Sequence, residues 1–190
     1  MTEDDVLDLF RTAGALLDGH FRLTSGLHSQ QYLQSALVLQ YPEFANALGS
    51  ALADRTRHMQ PTVVLSPALG GIVIGHEVGR ALGVRSIFVE RQEGKLVLRR
   101  GFTLDADDRV LVVEDVITTG LSTRETIATA EACGALVTGA AAIVDRGSDP
   151  ARLNLPMQTL VRLDVPTFQP EACPLCAKGV PVVKPGSRAS

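Results

Sequence analysis

The residues best suited to chemistry in this sequence lie between positions 110 and 123. Two acids, Glu114 and Asp115, follow four apolar residues, and a loop rich in hydroxyl groups comes next and opens a helix. In open α/β sheets, ligands bind beyond the carboxyl ends of the strands, so this stretch lies where a site is expected. Carboxylates can accept hydrogen bonds from sugar hydroxyls. The N–H groups and hydroxyls of the loop 118–123, aided by the helix dipole, can hold a phosphate. The pattern therefore indicates a site for a phosphorylated sugar.

Charge and motif content exclude several other classes of site. The sequence contains neither the G-x-x-x-x-G-K-[ST] loop of nucleoside triphosphate sites nor a G-x-G-x-x-G dinucleotide fingerprint. Its formal net charge of -3 supplies no field that would draw it to nucleic acid or to an anionic membrane. No apolar run reaches the roughly 18 residues that a membrane span needs, and the first residues are acidic. We therefore expect a cytoplasmic protein with no nucleic-acid or membrane partner, and its three cysteines fit a reducing compartment.

The elements that must position this stretch follow a βαβ rhythm after Pro61. The continuously apolar run 110–113 is typical of a parallel strand covered by helices on both faces. With 190 residues, 45% of them hydrophobic, the chain is long enough for one compact domain. We predict an α/β fold with an open, mostly parallel, doubly wound sheet flanked by helices. The predicted strands are 62–66, 84–90, 109–114, 136–144 and 159–163, and the predicted helices are 6–17, 42–59, 71–82 and 122–133.

Three segments fall outside this rhythm. Residues 20–39 have no single period and are predicted to form short strands and loops. Residues 91–108 are too long and too charged for a tight turn and are predicted to form a mobile hairpin between two sheet strands. The segment after Pro166 contains four more prolines, so we expect an extended chain there.

The stretch at 110–123 resembles the phosphoribosyl diphosphate signature of the type I phosphoribosyltransferases. In that family the two acids meet the ribose hydroxyls and the loop holds the 5-phosphate. The segment 66–71 (Ser-Pro-Ala-Leu-Gly-Gly) resembles the family's diphosphate loop. The resemblance implies that phosphoribosyl diphosphate is bound by Glu114, Asp115, Val116, Ile117, Thr118, Thr119, Gly120, Leu121, Ser122, Arg91, Lys95, Leu69 and Gly70.

A second resemblance concerns the base that receives the sugar. The segment 21–32 is similar to the Phe-x-Leu-x-Ser-Gly-x-x-Ser-x-x-Tyr pattern of the orotate phosphoribosyltransferases. The arginine of Asp-Arg-Gly at 145–147 matches one that contacts orotate in that family, and a planar guanidinium pairs well with a carboxylate. The resemblance implies orotate contacts at Thr118, Arg146, Ser25 and Gly26.

The catalytic residues implied by the resemblance are Asp115, Glu114, Lys95 and Arg91. The family's mobile loop usually reads Arg-Lys-x-x-Lys-x-His-Gly. Arg91 and Lys95 match it, whereas other positions differ. The positions where this chain lacks a basic residue common in the family are Thr24, Gly70, Gln92 and Val97. The resemblance also implies that the enzyme uses Mg2+, which is held mainly by the substrate. It further implies a homodimer in which the loop reaches the neighbouring subunit.

The resemblance also implies a domain organisation and a reaction. Residues 1–165 would form a single phosphoribosyltransferase domain, with a helix and a small hood in 1–40 and the sheet core in 61–165, followed by a Pro-rich extended tail at 166–190. The implied enzyme is a glycosyltransferase (pentosyltransferase) that converts orotate and phosphoribosyl diphosphate to orotidine 5'-phosphate in de novo pyrimidine (UMP) biosynthesis. Two alternatives remain open: a purine-base phosphoribosyltransferase and a non-catalytic regulator that binds phosphoribosyl diphosphate.

The tail contains a C-x-x-C pair, Cys173 and Cys176. Such a pair can supply half of a four-coordinate zinc site. No second pair follows, and the third cysteine and four histidines form no zinc signature. We expect two ordinary thiols. The alternative is a structural zinc site, which the two subunits of a dimer could share.

Overall fold

The structure is an α/β fold built around a single large sheet. It is a computed structural model that describes residues 1–23, 25–147 and 153–185. Within these ranges the strands are β1 (Leu16–Arg22), β2 (His28–Leu33), β3 (Val63–Pro67), β4 (Arg85–Gln92), β5 (Lys95–Leu98), β6 (Arg109–Ile117), β7 (Leu136–Asp145), β8 (Met157–Arg162) and β9 (Thr167–Phe168). The α-helices are α1 (Glu3–Thr12), α2 (Ser35–Leu39), α3 (Pro42–Thr56), α4 (Gly70–Leu82), α5 (Leu121–Ala132) and α6 (Pro174–Ala177), and 3-10 turns span Arg57–Met59 and Pro170–Ala172.

The central sheet has the strand order β5-β4-β3-β6-β7-β8. Its strands run parallel except β5, which pairs antiparallel with β4. The carboxyl ends of β3 and β6 therefore meet at the same edge, at the centre of the sheet. This arrangement confirms the predicted open, mostly parallel sheet and puts the 110–123 stretch at the expected edge.

Alternate residues of the central strands enter two separate apolar cores. Val64 and Leu111 pack into a core with α1, α3 and α4, whereas Val63 and Val110 pack into a core with α5. Successive strand residues point to opposite faces, so a strand covered on both faces must be apolar at every position. Each buried Val or Leu side chain contributes about 1.5–3 kcal/mol of burial free energy. The rigid position of the end of β6 follows from this packing.

A small antiparallel sheet, β1-β2-β9, lies beside the central one and forms the hood. Its first two strands come from the N-terminal part of the chain and its third comes from the tail. The tail returns to the hood once more, where the Val183 N–H donates to the His20 carbonyl oxygen and the Arg22 N–H donates to the Val183 carbonyl oxygen, each at 2.8 Å. The hood is therefore assembled from two ends of the sequence.

Three expectations from the sequence were wrong in detail. The first helix ends at Thr12, because Gly14 adopts a left-handed backbone (φ 63°) and Leu16 begins a strand. Leu16 packs against the core from that strand, whereas Leu17 is exposed. Residues 20–39 contain the short helix α2 as well as strands. The tail is not wholly extended, since Pro174 occupies the first turn of α6, where its fixed φ suits a helix.

The segment after Glu90 forms the predicted hairpin, with a turn at Glu93 and Gly94 between β4 and β5. Its mobility stays a prediction. Within the described ranges, no helix has the length and apolar character needed to cross a bilayer.

Candidate active site

The loop between β6 and α5 has the features of a phosphate site. Gly120 stands at the N-cap of α5 with φ 74° and has no side chain to cap the helix. The first N–H groups of a helix lack partners within the helix and can bind an anion. Here the Leu121 N–H makes a long hydrogen bond, 3.4 Å, to Thr119 Oγ1. The guanidinium of Arg124 donates to the Thr119 carbonyl oxygen at 2.9 Å and so braces the loop. The structure thus brings the predicted loop 118–122 to a helix N-terminus.

Glu114 is the acid that holds this loop to the sheet. Its side chain is buried, and its two carboxylate oxygens accept hydrogen bonds from the hydroxyls of Ser122 (2.7 Å) and Thr123 (2.5 Å). Burial raises the pKa of Glu114 above its ordinary value, while the two hydroxyl donors oppose that shift. Both oxygens are already engaged within the chain, which gives Glu114 a positioning role.

Asp115 lies beside the start of α4 instead. It lines a pocket of about 360 Å³ together with Leu69 and Gly70, and burial raises the pKa of its carboxyl group. A Cβ atom at position 70 would lie 2.6 Å from Asp115 Oδ1, closer than such atoms approach one another. Gly70 therefore allows the diphosphate loop to approach the acid, and on this backbone a lysine at 70 would displace the Asp115 carboxylate.

The predicted diphosphate loop forms the turn from β3 into α4. Leu69 is 83% exposed, and the start of α4 has no side-chain cap. The Ala68–Leu69 peptide bond is cis, and the Ala68 N–H donates to the Val89 carbonyl oxygen at 2.8 Å. This second uncapped helix start opens onto the same pocket as Asp115, so the structure brings the predicted diphosphate loop beside one of the two predicted acids.

A second pocket, of about 420 Å³, lies between the hood and the central sheet. Three of the residues predicted to meet the base, Ser25, Thr118 and Arg146, line it together. Gly26 is absent from this lining; its N–H donates to the Leu23 carbonyl oxygen at 2.9 Å and its φ is 86°, so it shapes the hood turn that presents Ser25.

Arg146 brings a positive charge to this pocket. Its backbone N–H donates to the Ile117 carbonyl oxygen at 2.8 Å, which fixes it at the end of β7. Its side chain is partly buried, and burial lowers the pKa of the guanidinium. Among the described residues no carboxylate forms an ion pair with it. A half-buried guanidinium without an acidic partner is suited to bind a carboxylate ligand.

Two basic residues in this lining were missed from the sequence: Arg22 of β1 and Lys184 of the tail. Lys184 follows Val183, whose backbone hydrogen bonds to the hood place it at the pocket. Lys184 lies in a Pro-rich segment without hydrophobic periodicity, so the sequence gave no indication that it belongs to a site. Only the pairing of the tail with β1, a contact across some 160 positions, reveals it.

The structure does not place Arg91 or Lys95 in the lining of either pocket. The Arg91 guanidinium pairs with Glu125 of α5 at 2.5 Å and also donates to the Gly94 carbonyl oxygen. Lys95 begins the edge strand β5 and is exposed. Their catalytic roles stay predictions.

The remaining predicted contacts differ in what they can offer a ligand. Ile117 is buried in the core and Val116 packs against the other core, so only their backbone groups are available. Leu121 is exposed at the first turn of α5. Cys173 and Cys176 lie away from both pockets, next to His20 and His28, a grouping that the sequence did not suggest.

Comparison with known proteins gives the same assignment. A model of the phosphoribosyl transferase domain family matches residues 35–164. An orotate phosphoribosyltransferase of Chlorobaculum parvum is 50% identical over 190 residues, covering 100% of this chain and 98% of its own length. One of Rhizorhabdus wittichii is 52% identical over 194 residues, with coverage of 100% and 98%.

Solved structures agree in fold. The Mycobacterium tuberculosis orotate phosphoribosyltransferase aligns with a TM-score of 0.71 at 22% identity, covering 85% of this chain and 96% of that one. The Aeropyrum pernix orotate phosphoribosyltransferase aligns with a TM-score of 0.68 at 25% identity, covering 83% and 93%. With two loops that each open a helix at one sheet edge, and with relatives that match from end to end, this chain belongs to the orotate phosphoribosyltransferases of the phosphoribosyl transferase domain family.

Proposed function

We propose that this chain transfers the 5-phosphoribosyl group of phosphoribosyl diphosphate to orotate, giving orotidine 5'-phosphate and diphosphate. One observation carries the proposal: the end of β6 and the loop after it serve both pockets. Asp115 lines the pocket shared with the diphosphate loop, and Thr118, three residues later, lines the pocket that contains Arg146. A sugar phosphate held along this segment has its anomeric carbon between a diphosphate site and a base site.

The chemistry requires no covalent enzyme intermediate. The bond between the anomeric carbon and the diphosphate oxygen breaks, and the leaving group keeps the electron pair. The ring nitrogen of orotate bonds to the same carbon and loses its proton, which the departing diphosphate can accept. Positive charge develops on the sugar as diphosphate leaves, and the Asp115 carboxylate beside the pocket stabilises it electrostatically. Arg146 holds the orotate carboxylate and orients the ring for attack.

Binding of Mg2+ is part of this proposal. Magnesium prefers oxygen ligands and is commonly held by one or two carboxylates together with substrate phosphates. Asp115 offers such a carboxylate beside the diphosphate loop, whereas both oxygens of Glu114 are engaged by hydroxyls. The ion would neutralise charge on the diphosphate.

The hairpin carrying Arg91 and Lys95 is proposed to close over the diphosphate and exclude water that would hydrolyse the activated sugar. Closure requires Arg91 to leave Glu125, an exposed pair that is worth little in water. The homodimer, in which the hairpin serves a neighbouring subunit, and the cytoplasmic location also stay predictions.

The test is the loss of orotate ultraviolet absorbance with purified protein, phosphoribosyl diphosphate and magnesium. Parallel reactions contain adenine, guanine, hypoxanthine, xanthine or uracil. Turnover with orotate alone is expected, because only orotate carries the carboxylate that fits Arg146. Turnover of a purine in its place would support the purine enzyme, and tight binding of phosphoribosyl diphosphate without turnover of any base would support the regulator.

A further inference from the structure

We propose that His20, His28, Cys173 and Cys176 form a structural zinc site that fastens the tail to the hood. The four residues come from three places: His20 from β1, His28 from β2, and the two cysteines from the segment around α6. The site is separate from both pockets and takes no part in the proposed transfer reaction.

Three of the distances between the ligand atoms match tetrahedral zinc, and the longest distance in the cluster, up to 4.8 Å, would shorten on binding. All four atoms lie within 4.8 Å of one another. Cys173 Sγ lies 3.5 Å from His20 Nε2, and Cys176 Sγ lies 3.8 Å from His20 Nε2 and 3.3 Å from His28 Nδ1. Bonds of about 2.0–2.1 Å to nitrogen and about 2.3 Å to sulfur put the atoms of a tetrahedral site about 3.3–3.8 Å apart. The two ring nitrogens, at 2.9 Å, would need to separate only slightly.

The second nitrogen of His20 gives an independent indication. His20 Nδ1 lies 2.7 Å from the Val180 carbonyl oxygen, which can only accept, so Nδ1 carries the proton. With its proton on Nδ1, a neutral His20 ring would direct the lone pair of Nε2 into the cluster. Histidine ligands of zinc commonly donate their other N–H to a carbonyl or a carboxylate in this way. The carbonyl belongs to the same tail segment as the cysteines.

The types of ligand atom and their burial favour zinc over other metals. His20, His28 and Cys173 are buried, with exposed fractions of 3%, 6% and 3%. Two sulfur and two nitrogen ligands in tetrahedral arrangement favour zinc, whereas calcium and magnesium prefer oxygen. Binding would convert both thiols to thiolates and release two protons per zinc ion.

Such a site would help to hold the tail segment that lines the base pocket. Four residues after Val180, the tail places Lys184 in the lining that contains Arg146. The hydrogen bonds of Val183 to His20 and Arg22 lie between the cluster and this lining. Zinc would stabilise the hood against separation of strands contributed by distant parts of the chain.

The first experiment measures zinc by mass spectrometry in full-length protein purified without chelator. About one equivalent per chain is expected, as for a closed structural site. The Cys176→Ser and His28→Ala variants should lose it. The controls Cys133→Ser and His58→Gln, which change an exposed cysteine and an exposed histidine outside the cluster, should retain it.

A second measurement does not depend on whether the variants fold. Wild-type protein stripped of metal and titrated with Co2+ should develop the visible absorption of a tetrahedral cobalt–thiolate site, with saturation at one equivalent. Zinc should then displace the cobalt. Failure to take up either ion, undiminished binding in both ligand variants, or a Cys173–Cys176 disulfide in fresh metal-free protein would overturn the proposal.

Discussion

The phosphate side and the base side of this site are built in different ways. On the phosphate side, two uncapped helix starts follow buried parallel strands, and the proposed binding groups are mainly backbone N–H groups and one acid. On the base side, the lining comes from β1, the hood turn, the loop after β6, the end of β7 and the tail, and the proposed contacts with the base are made by side chains. The first is continuous in sequence and the second is not.

This difference has physical consequences. The phosphate side depends on strands that fill two cores, so its shape is as stable as the sheet itself. The base side depends on a three-stranded hood whose last strand has only two residues. We expect changes on the phosphate side to affect turnover of every substrate, and changes on the base side to affect only the use of the base.

The largest effect is expected for Asp115→Asn. The substitution removes the charge facing the developing positive charge on the sugar, so kcat should fall roughly 10²- to 10³-fold. Asp107→Asn, at an exposed acid away from the pockets, is the control. Orotate assays and thermal melts check the prediction. A folded Asp115→Asn enzyme with nearly normal kcat would remove the acid from the mechanism.

Arg146→Ala tests the base side. Losing a charged hydrogen bond of about 1.5–3 kcal/mol should lower kcat/KM for orotate about 10- to 150-fold. KM for phosphoribosyl diphosphate should change little, because the phosphate side stays intact. Arg11→Ala, an exposed arginine in α1, is the control. An equal rise in both KM values would show that the two sides are not independent.

Lys184→Ala should have a smaller effect. Its side chain is exposed, so its attraction for the orotate carboxylate is weakened by water, and we expect KM for orotate to rise about 5-fold. Lys178→Ala, an exposed tail lysine that does not line the base pocket, is the matched control. Steady-state kinetics at varied orotate measure both. An unchanged KM would leave Lys184 without a role in binding the base.

The same division explains how much the sequence could predict. The strand, acids and loop of the phosphate side are contiguous, so local patterns were sufficient to find Asp115 and its loop. Lys184 and the grouping of His20 with Cys173 arise from pairing between the tail and the hood, and no local pattern encodes a contact across about 150 positions. The hairpin of Arg91 was predicted, but its contacts with a bound substrate depend on a closed state.

The smallest predicted effect compares Glu114 and Asp115 in the protein without substrate. Burial raises the pKa of both carboxyls in the folded state, so each group favours folding most below its unfolded-state pKa and loses that contribution as pH rises through its folded-state pKa. Asn at 115 mimics the protonated acid. Asp115→Asn should therefore be more stable than wild type at pH 7, with a gap that narrows as pH falls towards the ordinary value of 3.8.

Glu114→Gln should be less stable than wild type at neutral pH. The substitution replaces one of the two oxygens that accept hydrogen bonds from the Ser122 and Thr123 hydroxyls. A buried hydroxyl left without its acceptor costs about 1–3 kcal/mol, which opposes the gain from removing a buried charge. Urea unfolding of both variants between pH 4 and pH 7, with Asp107→Asn as control, measures the difference. If both variants shift stability equally at every pH, the two acids share one role, and the assignment of Glu114 to the loop and Asp115 to the substrate fails.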